Sequence, residues 1–341
     1  MENSKFLNKF LYDLESFPSP IKKPMSQYNV RELRKILHFK ELEEILGIDK
    51  SVIEYLDEIE REFGKLLPEI LKGKDCLKEY LSIENQINNE LKGYSYIYIK
   101  QSALSIKSLI YYKKGLFNEA INVTQECIVL NEFLVNKGIK TLNTRIYEQI
   151  KNISKIYHKI GDHNKAIDII SNLFKHLYTG NKTSIENYTT IVNNIEIWEK
   201  TPVIREIYIN DLFLLYLKEF MSFKNSLVKE KLNEINWIND LDFEVFTDER
   251  KFVYNWIYIQ KSFNDKRFSD FLDGLDYFFN DEMSDYYNLL KINLLFKLKE
   301  FAFLTKQSPN TINKIIENIK IYLAHNLGLD NQEINLFFNN N

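Results

Sequence analysis

Histidine and cysteine side chains could bind a metal ion or act as nucleophiles in this chain, and their spacing decides which chemistry is open to them. The nearest approach to a metal motif is His158 and His163, five residues apart with Gly161 between them. Two zinc-binding histidines on one helix usually stand four residues apart, which puts both rings on one face. A spacing of five puts them on different faces. We therefore interpret His158 as a surface residue and His163 as a turn residue, and we predict no metal site.

The other histidines and the two cysteines have no second metal-ligating residue at the spacing of a known motif. His38, His176 and His325 are isolated, and Cys76 and Cys127 are far apart without a pairing motif. Such cysteines are typical of a reducing cytoplasm. Cys127 occupies an apolar position of its helix, so we interpret it as a small core residue.

The common enzyme signatures are also missing from the sequence. The pairs Gly64-Lys65 and Gly73-Lys74 lack the upstream glycine of a phosphate-binding loop. No zinc-protease motif, nucleophile elbow or paired-cysteine motif occurs. We therefore expect neither an enzymatic activity nor a bound cofactor.

Composition and charge favour a helical protein that binds neither nucleic acid nor membrane. Only 10 glycines and 6 prolines occur in 341 residues, whereas folds with many tight turns need more of both. The formal net charge is −3, and binding to nucleic-acid phosphates usually needs a basic excess. The apolar run 212–217 is far shorter than the roughly 20 residues of a membrane span. Charges interrupt the N-terminal apolar residues, unlike a secretion signal, so we expect a cytoplasmic protein.

The N-terminal quarter of the chain divides into two segments that differ in where prolines and glycines interrupt the helical pattern. Segment 1–25 has the pattern of an amphipathic helix followed by a proline-rich linker, in which a helix cannot continue. Segment 26–92 has the pattern of four or five short helices, punctuated by Gly47, Pro68 and Gly73.

From residue 93 onwards the apolar pattern changes to long helices in pairs. The pairs are clearest in the segment 93–180 and less regular in the segment 181–341. No strand pattern competes, so the sequence predicts an all-α fold. The expected pairs are 93–114 with 117–136, 141–160 with 163–178, 183–199 with 203–222, 245–263 with 267–280, and 284–305 with 311–326.

Residues 40–60 have the spacing of a helix–turn–helix unit with Gly47 at the turn. In a DNA-binding version the second helix would approach phosphates, and acidic side chains there would repel them. We therefore favour two packed helices over a DNA-binding unit. The acidic residues of the second helix are Asp49, Glu54, Asp57, Glu58 and Glu60. We interpret acidic pairs such as Glu58 with Glu60 and Asp281 with Glu282 as solvated charges.

Two segments in the middle of the chain share one skeleton. In each, a glycine follows a tyrosine by four residues, and an Ala-Ile pair stands five and six residues after the glycine. The glycine can end a first helix in a conformation that other residues resist, and the small alanine lets a second helix approach closely. The matched residues are Tyr111 and Tyr157, Gly115 and Gly161, Ala120 and Ala166, and Ile121 and Ile167.

These segments resemble the tetratricopeptide repeat family, whose repeats are pairs of antiparallel helices. The resemblance covers roughly 101–178, and the second copy carries it best through Ile150, Tyr157, Gly161 and Ala166. The two glycines stand 46 residues apart instead of about 34, Lys107 occupies an apolar position, and the closing prolines are missing. The resemblance implies a helical-hairpin repeat solenoid, preceded by a bundle of short helices.

The resemblance also implies where a partner would bind, because the first helices of such repeats line an inner surface. A row of lysines beside a tyrosine there suits an acidic peptide or a terminal carboxylate. A solvated lysine face remains the alternative. The family's chaperone-tail clamp is not reproduced, because Ser105 and Leu109 replace its Lys and Asn. Inner positions are Ser102, Ser105, Leu109, Tyr112, Glu148, Lys151, Lys155, His158 and Lys159, and the predicted peptide-binding residues are Tyr112, Lys151, Lys155 and His158.

The function that the sequence favours is recognition of a protein or peptide, acidic in character, by a cytoplasmic helical-repeat scaffold. The alternative is a peptide-sensing regulator whose N-terminal helices act on DNA or on a partner protein. An acidic second helix in the N-terminal region argues against the DNA version of that alternative.

Overall fold

A computed structural model describes residues 2–14, 16–17, 30–179, 248–280, 288–332 and 334–335. These residues form twelve α-helices and one 3-10 helix, with no strand among them, so the predicted all-α class is confirmed for this part of the chain. The helices are α1 (Glu2–Asp13), α2 (Val30–Leu46), α3 (Lys50–Leu71), α4 (Leu77–Glu90), α5 (Gly93–Lys113), α6 (Phe117–Asn136), the 3-10 helix (Lys140–Leu142), α7 (Asn143–Lys159), α8 (His163–Thr179), α9 (Asp248–Asn264), α10 (Phe268–Asn280), α11 (Asn288–Leu304) and α12 (Pro309–His325).

Four of the five expected helix pairs lie wholly or mostly within the described residues and are present there. Where both are described, their ends differ from the expected ones by only a few residues. Ser308 caps α12 by accepting a hydrogen bond from the amide of Thr311, and Pro309 occupies the first turn, where its missing N–H costs nothing. The expected pair 183–199 with 203–222 and the proline-rich linker lie outside the described residues.

The prediction of four or five short helices between residues 26 and 92 is wrong. The structure has three helices there, and α3 alone has 22 residues. It continues through Pro68, which the sequence pattern treated as a break. Pro68 lies in the last turn, where one lost hydrogen bond is outweighed by the burial of a continuous apolar stripe. That stripe includes Ile53, Leu56, Ile59, Phe63 and Ile70.

The chain divides into two compact units, residues 1–27 with 213–341 and residues 28–212. The predicted segments 26–92 and 93–180 thus belong to one unit apart from residues 26 and 27, and helix α1 belongs with the C-terminal helices. In the latter unit the Phe10 ring meets the Phe279 ring edge-on at 5.6 Å between centroids.

The unit 28–212 contains three consecutive helical hairpins, α3 with α4, α5 with α6, and α7 with α8. Helices α3 and α5 run side by side in the same direction, because Glu60 lies beside Ser102 and the carbonyl of Leu71 accepts a hydrogen bond from Lys113. Within the described ranges, every helix is too short or too polar to cross a membrane.

Candidate functional site

Tyr112 and His158 stand at equivalent places, each near the end of the first helix of a hairpin. Gly115 and Gly161 follow three residues later with φ of +77° and +87°, a backbone region that favours glycine. Their amides donate to the carbonyls of Tyr112 and His158, at 3.1 Å in both hairpins. The repeated sequence therefore produces two turns with the same hydrogen bonding.

The two alanines of the repeated pattern hold the hairpins closed. Ala120 and Ala166 are fully buried, and each backbone carbonyl accepts a hydrogen bond from a serine of the preceding helix. The Ser108 Oγ to Ala120 O distance is 3.0 Å, and the Ser154 Oγ to Ala166 O distance is 2.9 Å. A larger side chain at either alanine would separate the helices and break this hydrogen bond.

A pair of rings closes each turn. In the first hairpin Tyr112 packs against Phe117 with ring centroids 5.9 Å apart. In the second, His158 and His163 have ring centroids 4.9 Å apart and Nδ1 atoms 3.2 Å apart. The prediction that these histidines point to different faces is wrong, because α7 ends before His163 and the turn at Gly161 brings the two rings together.

The predicted lysine row lies on the solvent-exposed side of helix α7. Lys155 and Lys159 are exposed and Lys151 is half-buried. The opposite stripe is fully buried and holds the helix in the core through Ile146, Ile150 and Ile153. Tyr112 packs against an apolar cluster of Ala120, Ile121 and Ile156, which includes residues of both hairpins.

Two residues predicted to line the inner surface are not available to a partner. Ser102 is buried, and its hydroxyl donates to Glu60 at 3.2 Å. Ser105 is half-buried and accepts a hydrogen bond from Gln149 at 2.9 Å. The prediction for Ser102 is wrong because α3 packs along α5 on this side and its Glu60 takes the hydroxyl. The Ser105 hydroxyl serves a contact between α5 and α7.

Glu60 is a buried polar centre that was interpreted from the sequence as a solvated charge. Only 7% of its surface is exposed, and Tyr98 donates its hydroxyl to it at 3.1 Å. Arg145 of α7 lies 3.7 Å from the same carboxylate. The sequence does carry a signal for this burial, because the spacing of Glu60 places it on the apolar stripe of α3 between Leu56 and Phe63.

A second buried carboxylate, Glu84 of α4, explains the unusual Lys107 of the first repeat. Glu84 accepts a hydrogen bond from Tyr80 and another from Lys100, both at 2.8 Å, and Lys107 lies 4.0 Å away. Burial raises the pKa of Glu84, but the hydrogen bonds from Lys100 and Tyr80 outweigh it, so the pKa is lowered. Lys107 therefore replaces an apolar residue because an anion faces it.

The cysteines are buried and unpaired. Burial raises the pKa of Cys127 to about 11 and also raises the pKa of Cys76, so neither thiol is a ready nucleophile at neutral pH. This confirms the prediction that Cys127 is a core residue. Across the described ranges, three or more His, Cys, Asp or Glu side chains do not come together in a group that could hold a metal ion.

The turn between α2 and α3 is where the sequence predicted it, at Gly47 with φ of +62°. Asp57 of the second helix forms ion pairs with Lys35 and Arg61 instead of facing solvent alone. Its charge therefore serves the packing of α2 against α3.

Comparisons with known proteins show no family for this chain. No protein-family model matches it, and none of the solved structures matches it either. The chain is 28% identical over 207 residues to a DNA-directed RNA polymerase subunit beta of Neospora caninum. That match covers 56% of this chain and only 18% of the polymerase subunit. A similarity of this extent shows neither a common family nor a common activity.

Proposed function

We propose that this protein is a non-enzymatic, cytoplasmic scaffold of the tetratricopeptide-like type that binds a protein or peptide partner. The two hairpins α5–α6 and α7–α8 support the repeat character, because their turns share the same glycine conformation and hydrogen bonds. Their serine-to-alanine contacts also match. Such coincidences in backbone and side-chain detail are expected of a repeated unit.

The partner-binding face in this proposal consists of Tyr112, Lys151, Lys155 and His158. The observation that carries it is the lysine stripe on α7, together with a tyrosine that packs on the apolar cluster shared by the two hairpins. An acidic partner would be attracted to these positive charges, and a fixed aromatic ring adds apolar contact area at low entropic cost.

A second candidate, a peptide-sensing regulator, is favoured by the contacts of α2. Glu41 accepts hydrogen bonds from the amide and the hydroxyl of Thr141, at 3.0 Å and 2.6 Å. His38 also lies 3.3 Å from the carbonyl of Thr141. The N-terminal helices are thus tied to the segment between the two hairpins and would respond to a peptide bound there. Because Asp57 and its acidic neighbours disfavour DNA, the regulated target in this version is a protein.

The test is affinity capture from native cell extract, followed by mass spectrometry, with a charge-reversed variant. Lys151→Glu with Lys155→Glu should abolish capture of the principal partner, because the replaced side chains would repel an acidic surface. Capture by the unmodified protein should weaken as salt is raised, since exposed charges are screened over about 10 Å at 0.1 M.

The matched control reverses two exposed lysines of α12, by Lys314→Glu with Lys320→Glu. It changes the net charge equally and should keep the partner. Both variants should retain the helix content and melting temperature of the unmodified protein. Equal capture by the unmodified protein and the Lys151/Lys155 variant would exclude this face as the binding site.

A further inference from the structure

The turn between α7 and α8 differs chemically from its counterpart between α5 and α6. His158 and His163 stand 46 residues after Tyr112 and Phe117 and occupy the same two positions of the hairpin. The first turn shows that a ring pair without any ring nitrogen closes this structure. The second turn has an imidazole at both positions, so it offers ring nitrogens where the first turn has none.

The distance between the two rings fits a shared ligand. Ligand nitrogens at about 2.0–2.1 Å from a tetrahedral ion lie roughly 3.3 Å from each other. The Nδ1 atoms of His158 and His163 are 3.2 Å apart, and their rings are tilted by 59°. We propose that these two nitrogens bind one divalent transition-metal ion of the zinc, copper or nickel type.

The chemistry of the side chains selects this class of ion. Neutral imidazole nitrogen is a borderline donor that suits zinc, copper and nickel, whereas calcium and magnesium prefer oxygen ligands. Without an ion, one Nδ1 must carry a proton to bond with the other. With an ion, both Nδ1 lone pairs point at the metal, so the one proton between the rings leaves its Nδ1 atom and each neutral ring carries its proton on Nε2. Binding therefore competes with protonation and weakens in acid.

In the described part of the chain the site provides two protein ligands, and water would complete the coordination of the ion. Asp162 lies in the same turn, but its carboxylate accepts a hydrogen bond from the amide of Lys165 at 3.3 Å and stabilises the start of α8. Structural zinc sites usually have four protein ligands, and this one lacks that closure. The ion is therefore exchangeable, so a chelator should remove it without unfolding the protein.

The test is calorimetric titration of zinc chloride into the full chain, prepared without a histidine tag and stripped with a chelator. The unmodified protein should bind one equivalent. His158→Tyr with His163→Phe installs the ring pair of the first turn, so it should keep the helix content and melting temperature while losing the equivalent. The control His325→Ala, at an exposed histidine of α12, should retain it.

A gain of binding provides the converse test. Tyr112→His with Phe117→His should create a second equivalent, because the first turn has the same backbone geometry. The Lys151/Lys155 variant should still bind zinc, which separates this inference from the proposed partner site. No heat of binding for the unmodified protein, or one equivalent for the His158/His163 double variant, would overturn the proposal and leave a hydrogen-bonded ring pair.

Discussion

At the scale of single residues, two glutamates two positions apart show how a structure separates identical side chains. Glu58 is exposed, whereas Glu60 is buried beside Tyr98, Ser102 and Arg145. A carboxylate taken out of water is stable only when hydrogen bonds and a positive charge replace its hydration. Glu60 has both, so it joins α3 to α5 and α7 as a specific polar contact within the core.

Glu60→Ala should destabilise the unit 28–212 by about 1–3 kcal/mol, because it leaves the hydroxyls of Tyr98 and Ser102 buried without their acceptor. The matched control is Glu58→Ala, which should change stability by no more than about 0.5 kcal/mol at an exposed position. Chemical denaturation followed by circular dichroism measures both. Equal effects of the two substitutions would mean that Glu60 is solvated after all.

The lowered pKa of Glu84 predicts that the stability of the folded protein depends on pH, and it also gives the sign of that dependence. Because the folded state holds the charged form more strongly than the unfolded chain does, Glu84 stabilises the protein above the ordinary glutamate pKa of 4.5. This contribution is lost as the pH falls through the lowered folded-state pKa. Glu84→Gln should therefore lower the melting temperature at neutral pH, and the difference from the unmodified protein should shrink below pH ~4.

Thermal unfolding at several pH values checks this expectation for Glu84. The exposed Glu79 of the same helix provides the control, and Glu79→Gln should change the melting temperature at neutral pH by much less than Glu84→Gln. A pH-independent difference for Glu84→Gln would show that its charged form is not favoured by Lys100 and Tyr80.

At the scale of helices, the sequence predicts the hairpins well because their ends are encoded locally. Gly115 and Gly161 adopt a backbone conformation that only glycine takes easily, and the apolar spacing between such residues gives each helix its length. Helix α3 was predicted poorly because Pro68 is a local break signal. Burial of its apolar stripe, which depends on distant partners, decides otherwise.

The predicted binding face shows the same division between local and distant information. The lysine row on α7 follows from helical spacing alone, and the structure leaves Lys155 exposed as expected. Ser102 and His163 were misplaced, since the first is covered by α3 and the second meets His158 across a turn. Both outcomes depend on packing between helices, which the spacing within one helix does not encode.

Ala166→Phe should cost the second hairpin about 1–3 kcal/mol by overpacking the contact between α7 and α8. The alanine is fully buried, and its carbonyl lies 2.9 Å from the Ser154 hydroxyl, so a ring there must push the helices apart. The control is Asn164→Phe, two residues earlier at an exposed position. Comparison of the two melting temperatures is the measurement. A change at Ala166 no larger than that at Asn164 would mean that this register of the hairpin is wrong.

At the scale of the whole molecule, helices that are far apart in the sequence pack against each other. Helix α1 is far in sequence from α10 and α12, yet it buries its apolar side against them. The side chain of Asn318 donates to the carbonyl of Leu11 at 3.0 Å, and Asn326 donates to that of Phe17 at 3.2 Å. The sequence shows that α1 is amphipathic, but an apolar stripe does not identify the helices that cover it.

This arrangement predicts that a destabilising substitution in α1 will also destabilise helices α10 and α12 near the other end of the chain. Phe10 is fully buried and packs against Phe279, so Phe10→Ala should cost about 3–5 kcal/mol through lost burial and a residual cavity. Hydrogen exchange should accelerate in α10 and α12, whereas the hairpins α5–α8 of the other unit should keep their protection. Tyr12, which is 86% exposed, is the control, and Tyr12→Ala should change neither region. Faster exchange in α5–α8 with unchanged protection in α10 and α12 would assign α1 to the other unit and contradict the division described above.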